Sequence, residues 1–281
     1  MIKIITDSTS YIPEDLIKEY DIDVISLSVI LGDEIIVETQ ISNVDFFKKL
    51  DSSSHHPTSS QPVIKEVYDR FEKHIQSGDS IVGCFISSQM SGTYSTAMLV
   101  KDMILEKYED AKIEIVDSKS NCMQLGFATL SGAEAAKSGK AMKDVVLAIN
   151  ENIEKSRMLF IPESLDYLQR SGRLSKASAL AASLLKIYPI LTVIDGKADV
   201  YGKIRTRKKA ITEMIEQFKQ DVEAKGLGQV NVVHINSEPD AMNLKEKLSK
   251  LVDADIRISS IGPVIGAHVG PGTVGLVYYT K

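Results

Sequence analysis

The feature that most constrains this chain is the alternation, through its first half, of short β-rich runs with segments of helical character. Ile2–Thr6 reads as a buried strand, followed by the turn Asp7-Ser8-Thr9-Ser10 and a helix opened by Pro13. Ile22–Ile30 and Ile35–Glu38 read as strands, and Asn43 stands where it could cap a helix over Val44–Leu50. Ile81–Ile86 and Lys112–Val116 are further β-rich runs, each followed by a helix-like stretch. Strands separated by helices imply crossover connections, and so a mostly parallel sheet with helices on both faces.

The style changes after about Lys155. Met158–Ile161 reads as a strand and Glu163–Gln169 as a short helix ending at Ser171-Gly172; an apolar helix over Ala177–Ile187 follows. Tyr188–Ile194 and Ala198–Ile204 flank Asp195-Gly196, the dipeptide of a tight hairpin turn. Thr206 caps a helix that carries Ile211, Met214, Ile215, Phe218 and Val222 on one face. A strand over Val230–Ile235, a helix opened by Ser237 and Pro239, and two last strands complete the pattern. The expected architecture is α/β in two domains: residues 1–155 α/β with a mostly parallel sheet, and residues 156–281 α+β. A length of 281 residues suits two modest domains.

Composition narrows the function classes. The net charge of −5 argues against nucleic acid as a general partner. Two cysteines, Cys84 and Cys122, are too few for a disulfide scaffold and lack the paired spacing of a zinc site, so both read as buried thiols and no metal is expected. No leader-like segment opens the sequence and no run approaches about 18 uncharged apolar residues, which predicts a soluble, cytoplasmic protein. Gly270-Pro-Gly-Thr-Val-Gly275 spells a dinucleotide-binding pattern, but that motif needs a helix after it and Leu276–Lys281 reads as a strand. The chain has no phosphate-binding P-loop, no H-E-x-x-H and no G-x-S-x-G. His74 reads as a solvated helix residue and His234 as a satisfied core histidine; His55 and His56 fall in the polar stretch Asp51–Pro62, which reads as an ordered functional loop.

Three segments put hydroxyls or imidazole where an anion could bind. They are Thr58-Ser59-Ser60-Gln61-Pro62 ahead of a helix over Val63–Ile75, Ser87–Thr93 between a strand and the next helix, and Ile261–Gly272 around His268. First-turn N–H groups lack partners within their helix, and the helix dipole makes that end positive, so added hydroxyls create a carboxylate or phosphate site. Plain N-capping explains each of the first two segments equally well by itself.

Taken in order, Ile5-Thr-Asp-Ser-Thr9, Thr58–Pro62, Met90-Ser-Gly-Thr93, Ser164–Leu174, Lys203–Lys209 and Gly262–Gly272 resemble the signatures of the DegV family along essentially the whole chain. That resemblance implies a bacterial fatty-acid-binding protein of the kind that serves as the acyl-carrying subunit of fatty acid kinase. The expected ligand is one long-chain fatty acid lying between the two domains, with no other cofactor, and the expected partner is the kinase catalytic subunit, which forms the acyl phosphate. Carried over residue by residue, the fatty acid carboxyl falls near Thr58 or Ser59, Ser91 and His268, with Gly92, Thr93 and Gly266 shaping the same loops. The family commonly has Thr directly before Ser-Gln-Pro, where this chain has Ser59, which leaves the donor open between Thr58 and Ser59. Ala177–Ile187 and Tyr188–Ile194 are candidates for the tunnel wall.

Lys203, Arg205, Arg207, Lys208 and Lys209 place five cations in seven residues of an acidic chain. Either they form a solvated face, or, with Arg173, they dock an acidic partner or an anionic membrane surface. Two other functions share the pocket: an acyl hydrolase with Ser91 as nucleophile and His268 as base, and a regulator that responds to lipid.

Overall fold

The computed structural model describes residues 1–174 and 187–281. The first half builds a four-stranded, all-parallel sheet from β1 (Ile2–Asp7), β2 (Asp23–Ile25), β6 (Ser80–Phe85) and β7 (Ile113–Asp117) in the order β2-β1-β6-β7. Period-two alternation in these strands feeds two layers. Ile5, Ile81 and Phe85 pack under α3 (Ile64–Gln76) and α4 (Thr93–Lys107). Ile4, Val82 and Cys84 face the other way, toward α5 (Cys122–Lys137) and α6 (Met142–Lys155). Helices therefore cover both faces, as the alternation implied.

The second half forms a six-stranded mixed sheet of order β10-β9-β8-β13-β11-β12. Its strands are β8 (Ser156–Ile161), β9 (Tyr188–Ile194), β10 (Lys197–Ile204), β11 (Leu227–Ile235), β12 (Arg257–Ser260) and β13 (Thr273–Thr280). One face carries α8 (Arg207–Lys225) and α9 (Glu238–Ser249), with Met214 and Phe218 wholly buried against it. The other face, through Met158, Phe160, Val233, Ile235 and Val277, joins the core of the first half. The β9–β10 hairpin turns on Asp195 and Gly196, both at positive φ, as the tight turn demands. Thr206 caps α8 by accepting from Lys209 N–H at 3.3 Å.

Several expectations are corrected. Ile22–Ile30 is not one strand: β2 ends at Ile25, and β3 (Ser28–Leu31) enters a small antiparallel sheet with β4 (Glu34–Val37) and β5 (Thr58–Ser60). The break falls at Ser26-Leu27, where Leu27 N–H leaves the ladder for Ser8 Oγ at 3.1 Å. Ser42, not Asn43, caps α2 (Asn43–Ser52); the Asn43 amide instead donates to Ser260 and Ile261. His74 is not solvated, because its Nε2 lies 2.9 Å from Asp23 Oδ2 with the side chain 13% exposed. The segment around His268 holds a short helix, α10 (Pro263–Val269), and Gly270–Gly275 leads into β13, so no dinucleotide fold forms there. Among the described residues the other short α-helices are α1 (Glu14–Glu19) and α7 (Asp166–Ser171). The helix expected over Ala177–Ile187 falls, apart from Ile187, outside the described residues. Among the described residues no helix is long and apolar enough to cross a membrane.

Candidate functional site

A partly open pocket lies between the inner face of the mixed sheet and the carboxyl ends of the parallel strands. Met158, Phe160, Val193, Val233, Ile235 and Val264 make its wall largely apolar. Ser59, Ser91, Arg173 and His268 supply polar groups to the same cavity.

Strand alternation separates Thr58 from Ser59. Thr58 is exposed, whereas Ser59 turns inward on β5 and its Oγ lies 2.7 Å from His268 Nε2. The geometry thus brings Ser59, and not Thr58, to α10. Ser91 ends a tight loop held by Ser87, whose carbonyl accepts from Met90 N–H at 2.9 Å and Ser91 N–H at 3.1 Å. Ser91 Oγ is 2.9 Å from Thr93 Oγ1, and Thr93 is buried at the start of α4. Gly92 permits the close approach of the first loop: a Cβ there would collide with Gln61 Oε1, while Gln61 Nε2 donates to Thr96 Oγ1 at 2.9 Å. Gly266 does the same for α10, where a Cβ would stand 2.9 Å from Phe47 Cζ.

His268 is neutral at pH 7. Burial, then the nearby Arg173 guanidinium and His56, push its pKa from the ordinary 6.5 down to about 4. Its Nδ1 is buried with no hydrogen-bond partner among the described residues. Among the described residues His268 pairs with Ser59 rather than Ser91, and no carboxylate orients its other nitrogen. The Ser91–His268 hydrolase pair is not assembled. His234 also lines the cavity; its Nδ1 accepts from Ser237 N–H at 3.2 Å, and burial depresses its pKa.

The cation cluster divides. Arg173 is half-buried and lines the cavity, with Nε donating to Met90 O at 3.4 Å. Arg207 is not available for docking: it donates to Glu163 at 3.0 Å, Asp240 at 2.9 Å and Gly272 O at 2.7 Å, with the side chain 20% exposed. Lys203, Arg205, Lys208 and Lys209 remain exposed. Cys84 and Cys122 are buried free thiols; burial raises both, Cys84 to about 12.

Sequence reasoning missed a buried polar cluster beside the site. Asp7, at the end of β1, accepts from Ile86 N–H at 2.7 Å and from Thr9, fixing the end of β6 that leads to the Ser87 loop. Glu38 accepts from Ser8 Oγ, from Tyr11 Oη at 2.8 Å and from Val264 N–H at 2.9 Å. The only early signal was the Ile5–Thr9 motif, which carried no assigned role. No group of three or more His, Cys, Asp or Glu side chains that could hold a metal ion occurs among the described residues.

A family model described as "Uncharacterised protein, DegV family" matches residues 1–281. A DegV domain-containing protein of Clostridium acetobutylicum is 50% identical over 280 residues, covering 100% of this chain and 98% of its relative. The crystal structure of DegV from Bacillus subtilis, described as a fatty acid binding protein, is 34% identical with a TM-score of 0.90, covering 100% and 99% of the two chains. A fatty acid binding DegV family protein from Streptococcus agalactiae is 28% identical with a TM-score of 0.91 and the same coverage. In sequence along its full length, and in fold, this chain belongs to the DegV family.

Proposed function

We propose that this protein binds a single long-chain fatty acid, with the tail in the cavity and the carboxyl at Ser59, Ser91 and His268, and presents that carboxyl to a fatty acid kinase. The observation that carries the reading is an apolar cavity whose polar groups include the Ser59–His268 pair and the Ser91 hydroxyl. Burying a sixteen-carbon tail contributes roughly 11 kcal/mol gross at about 0.8 kcal/mol per methylene, against several kcal/mol for immobilising the ligand. An unpartnered carboxylate would cancel much of the remainder, so the head group needs donors. Two hydroxyls, a neutral imidazole and the Arg173 guanidinium are donors of the required kind. The fatty-acid-binding relatives in Bacillus and Streptococcus support the ligand class.

The protein in this reading is a carrier without catalysis of its own. Its exposed Lys203, Arg205, Lys208 and Lys209 suit an acidic docking face on the kinase, or an anionic membrane surface during loading. The test is a titration of delipidated protein with oleate and with the alcohol of equal chain length. The acid should bind at least about tenfold tighter, as one to two charge-assisted hydrogen bonds imply, and Ser91→Ala should narrow that gap. Equal affinity for acid and alcohol would overturn the assignment of the head-group site. Arg205→Glu should lower kinase-coupled acyl phosphate formation without changing oleate affinity; unchanged coupling would remove the docking face.

A further inference from the structure

Helix α10, which carries His268, has only seven residues, fewer than the dozen or so an isolated helix needs, so its position is set by whatever holds its ends. Pro263 has no N–H. Val264 N–H donates to Glu38 Oε1 at 2.9 Å, and Ile265 N–H donates to Tyr11 Oη at 3.3 Å. The Tyr11 hydroxyl itself donates to Glu38 Oε1 at 2.8 Å. Two first-turn donors therefore end on one carboxylate–phenol pair that comes from the other half of the chain. Glu38 is 6% exposed, and Ser8 Oγ donates to its second oxygen. Ser8 Oγ also accepts from Leu27 N–H, and Leu27 lines the same cavity. The backbone is fitted to the pair: a Cβ at Gly262 would stand 2.8 Å from Glu38 Oε1 and 2.9 Å from Tyr11 Cε1.

Residues four apart share a helix face, so His268 lies one turn beyond Val264, about 6 Å along the axis. A short helix pinned at its first turn carries the imidazole as a rigid extension of the pin. We propose that Glu38 is a positioning residue: with Tyr11 it seats α10, and so holds His268 Nε2 where, together with Ser59 and Ser91, it meets an acyl carboxyl. The inference rests on reading the cavity as a fatty acid site. The other titratable groups facing Glu38 are Asp7 on β1 and Cys122 at the head of α5, and neither donates to it.

The test compares three variants in the full-length protein, reading oleate affinity and the His268 ring resonances by NMR with and without ligand. Tyr11→Phe keeps the ring and removes the hydroxyl that Ile265 N–H uses. It should stay folded, displace the His268 resonances even without ligand, and weaken oleate binding by roughly three- to tenfold, the effect of one lost buried hydrogen bond. Glu38→Ala should weaken binding by more than about tenfold, since it strands several buried donors. Glu38→Gln retains an acceptor for Val264 and should restore most of the affinity. If Glu38→Ala does not fold, Tyr11→Phe decides. Wild-type affinity and unmoved His268 resonances in Tyr11→Phe would overturn the inference. A wild-type protein that binds no oleate would instead refute the fatty acid reading, and the ligand-free His268 resonances would still report whether the pair positions the ring.

Discussion

Replacing His268 with Gln should change how the protein responds to acid. The unfolded chain protonates His268 near 6.5, whereas the folded chain resists until about 4 because burial and Arg173 oppose the imidazolium. At about 1.36 kcal/mol per pH unit, folding stability contributed by the neutral ring is complete above pH 6.5 and falls by about 3 kcal/mol on the way to pH 4. Glu38 works in the opposite direction. Burial raises its pKa from 4.5 to about 6, so the folded state binds that proton more tightly and acidification through this window adds about 2 kcal/mol. The two effects partly offset in the wild type. Gln at position 268 removes only the first, leaving every other titration common to both proteins. Urea unfolding followed by circular dichroism at pH 7, 5.5 and 4 should therefore show the stability of His268→Gln relative to wild type rising by about 3 kcal/mol between pH 7 and pH 4. A difference that stays constant across that range would refute the claim that His268 is held neutral by its surroundings.

Other substitutions separate neighbours that look alike in sequence. Ser59→Ala should weaken oleate binding by roughly tenfold while Thr58→Ala leaves it unchanged, because only Ser59 faces His268; calorimetric titration reads both. Arg207→Ala should cost about 1–2 kcal/mol in chemical unfolding, since three acceptors lose their partner, whereas Arg205→Ala should stay within about 0.5 kcal/mol. Gly196→Ala should destabilise by more than about 1 kcal/mol, because the position has a φ of 79° and a Cβ there would collide with Ser87 Oγ. It should also weaken oleate binding, as Ser87 Oγ donates to Gly196 O at 2.8 Å and Ser87 holds the Ser91 loop.

What could be read from the residues in order was whatever local pattern controls. The β-α alternation announced the parallel sheet, Asp195-Gly196 announced its hairpin, and the spacing of Met214 and Phe218 gave the buried face of α8. What could not be read was set by groups far apart in the chain. The split of Ile22–Ile30 depends on Ser8 capturing Leu27 N–H. Arg207, grouped in sequence with the neighbouring cations, is instead tied down by Glu163, Asp240 and Gly272. Asn43 was expected as a cap and serves as a tie to the loop before α10, 217 residues away. At the site, hydroxyl-rich loops were visible as motifs, but the facing of Ser59 required the strand register of β5, and Glu38, read only as the end of the strand Ile35–Glu38, carried no local sign of its burial.

The most direct test of the carrier reading is mass spectrometry of an organic extract from protein purified without added lipid, followed by uptake of oleate by the stripped protein. The account predicts a long-chain fatty acid near one-to-one stoichiometry, depleted in Ser91→Ala and Ser59→Ala. An extract free of fatty acid, together with no uptake of added oleate by folded wild-type protein, would contradict it and assign the cavity to another ligand.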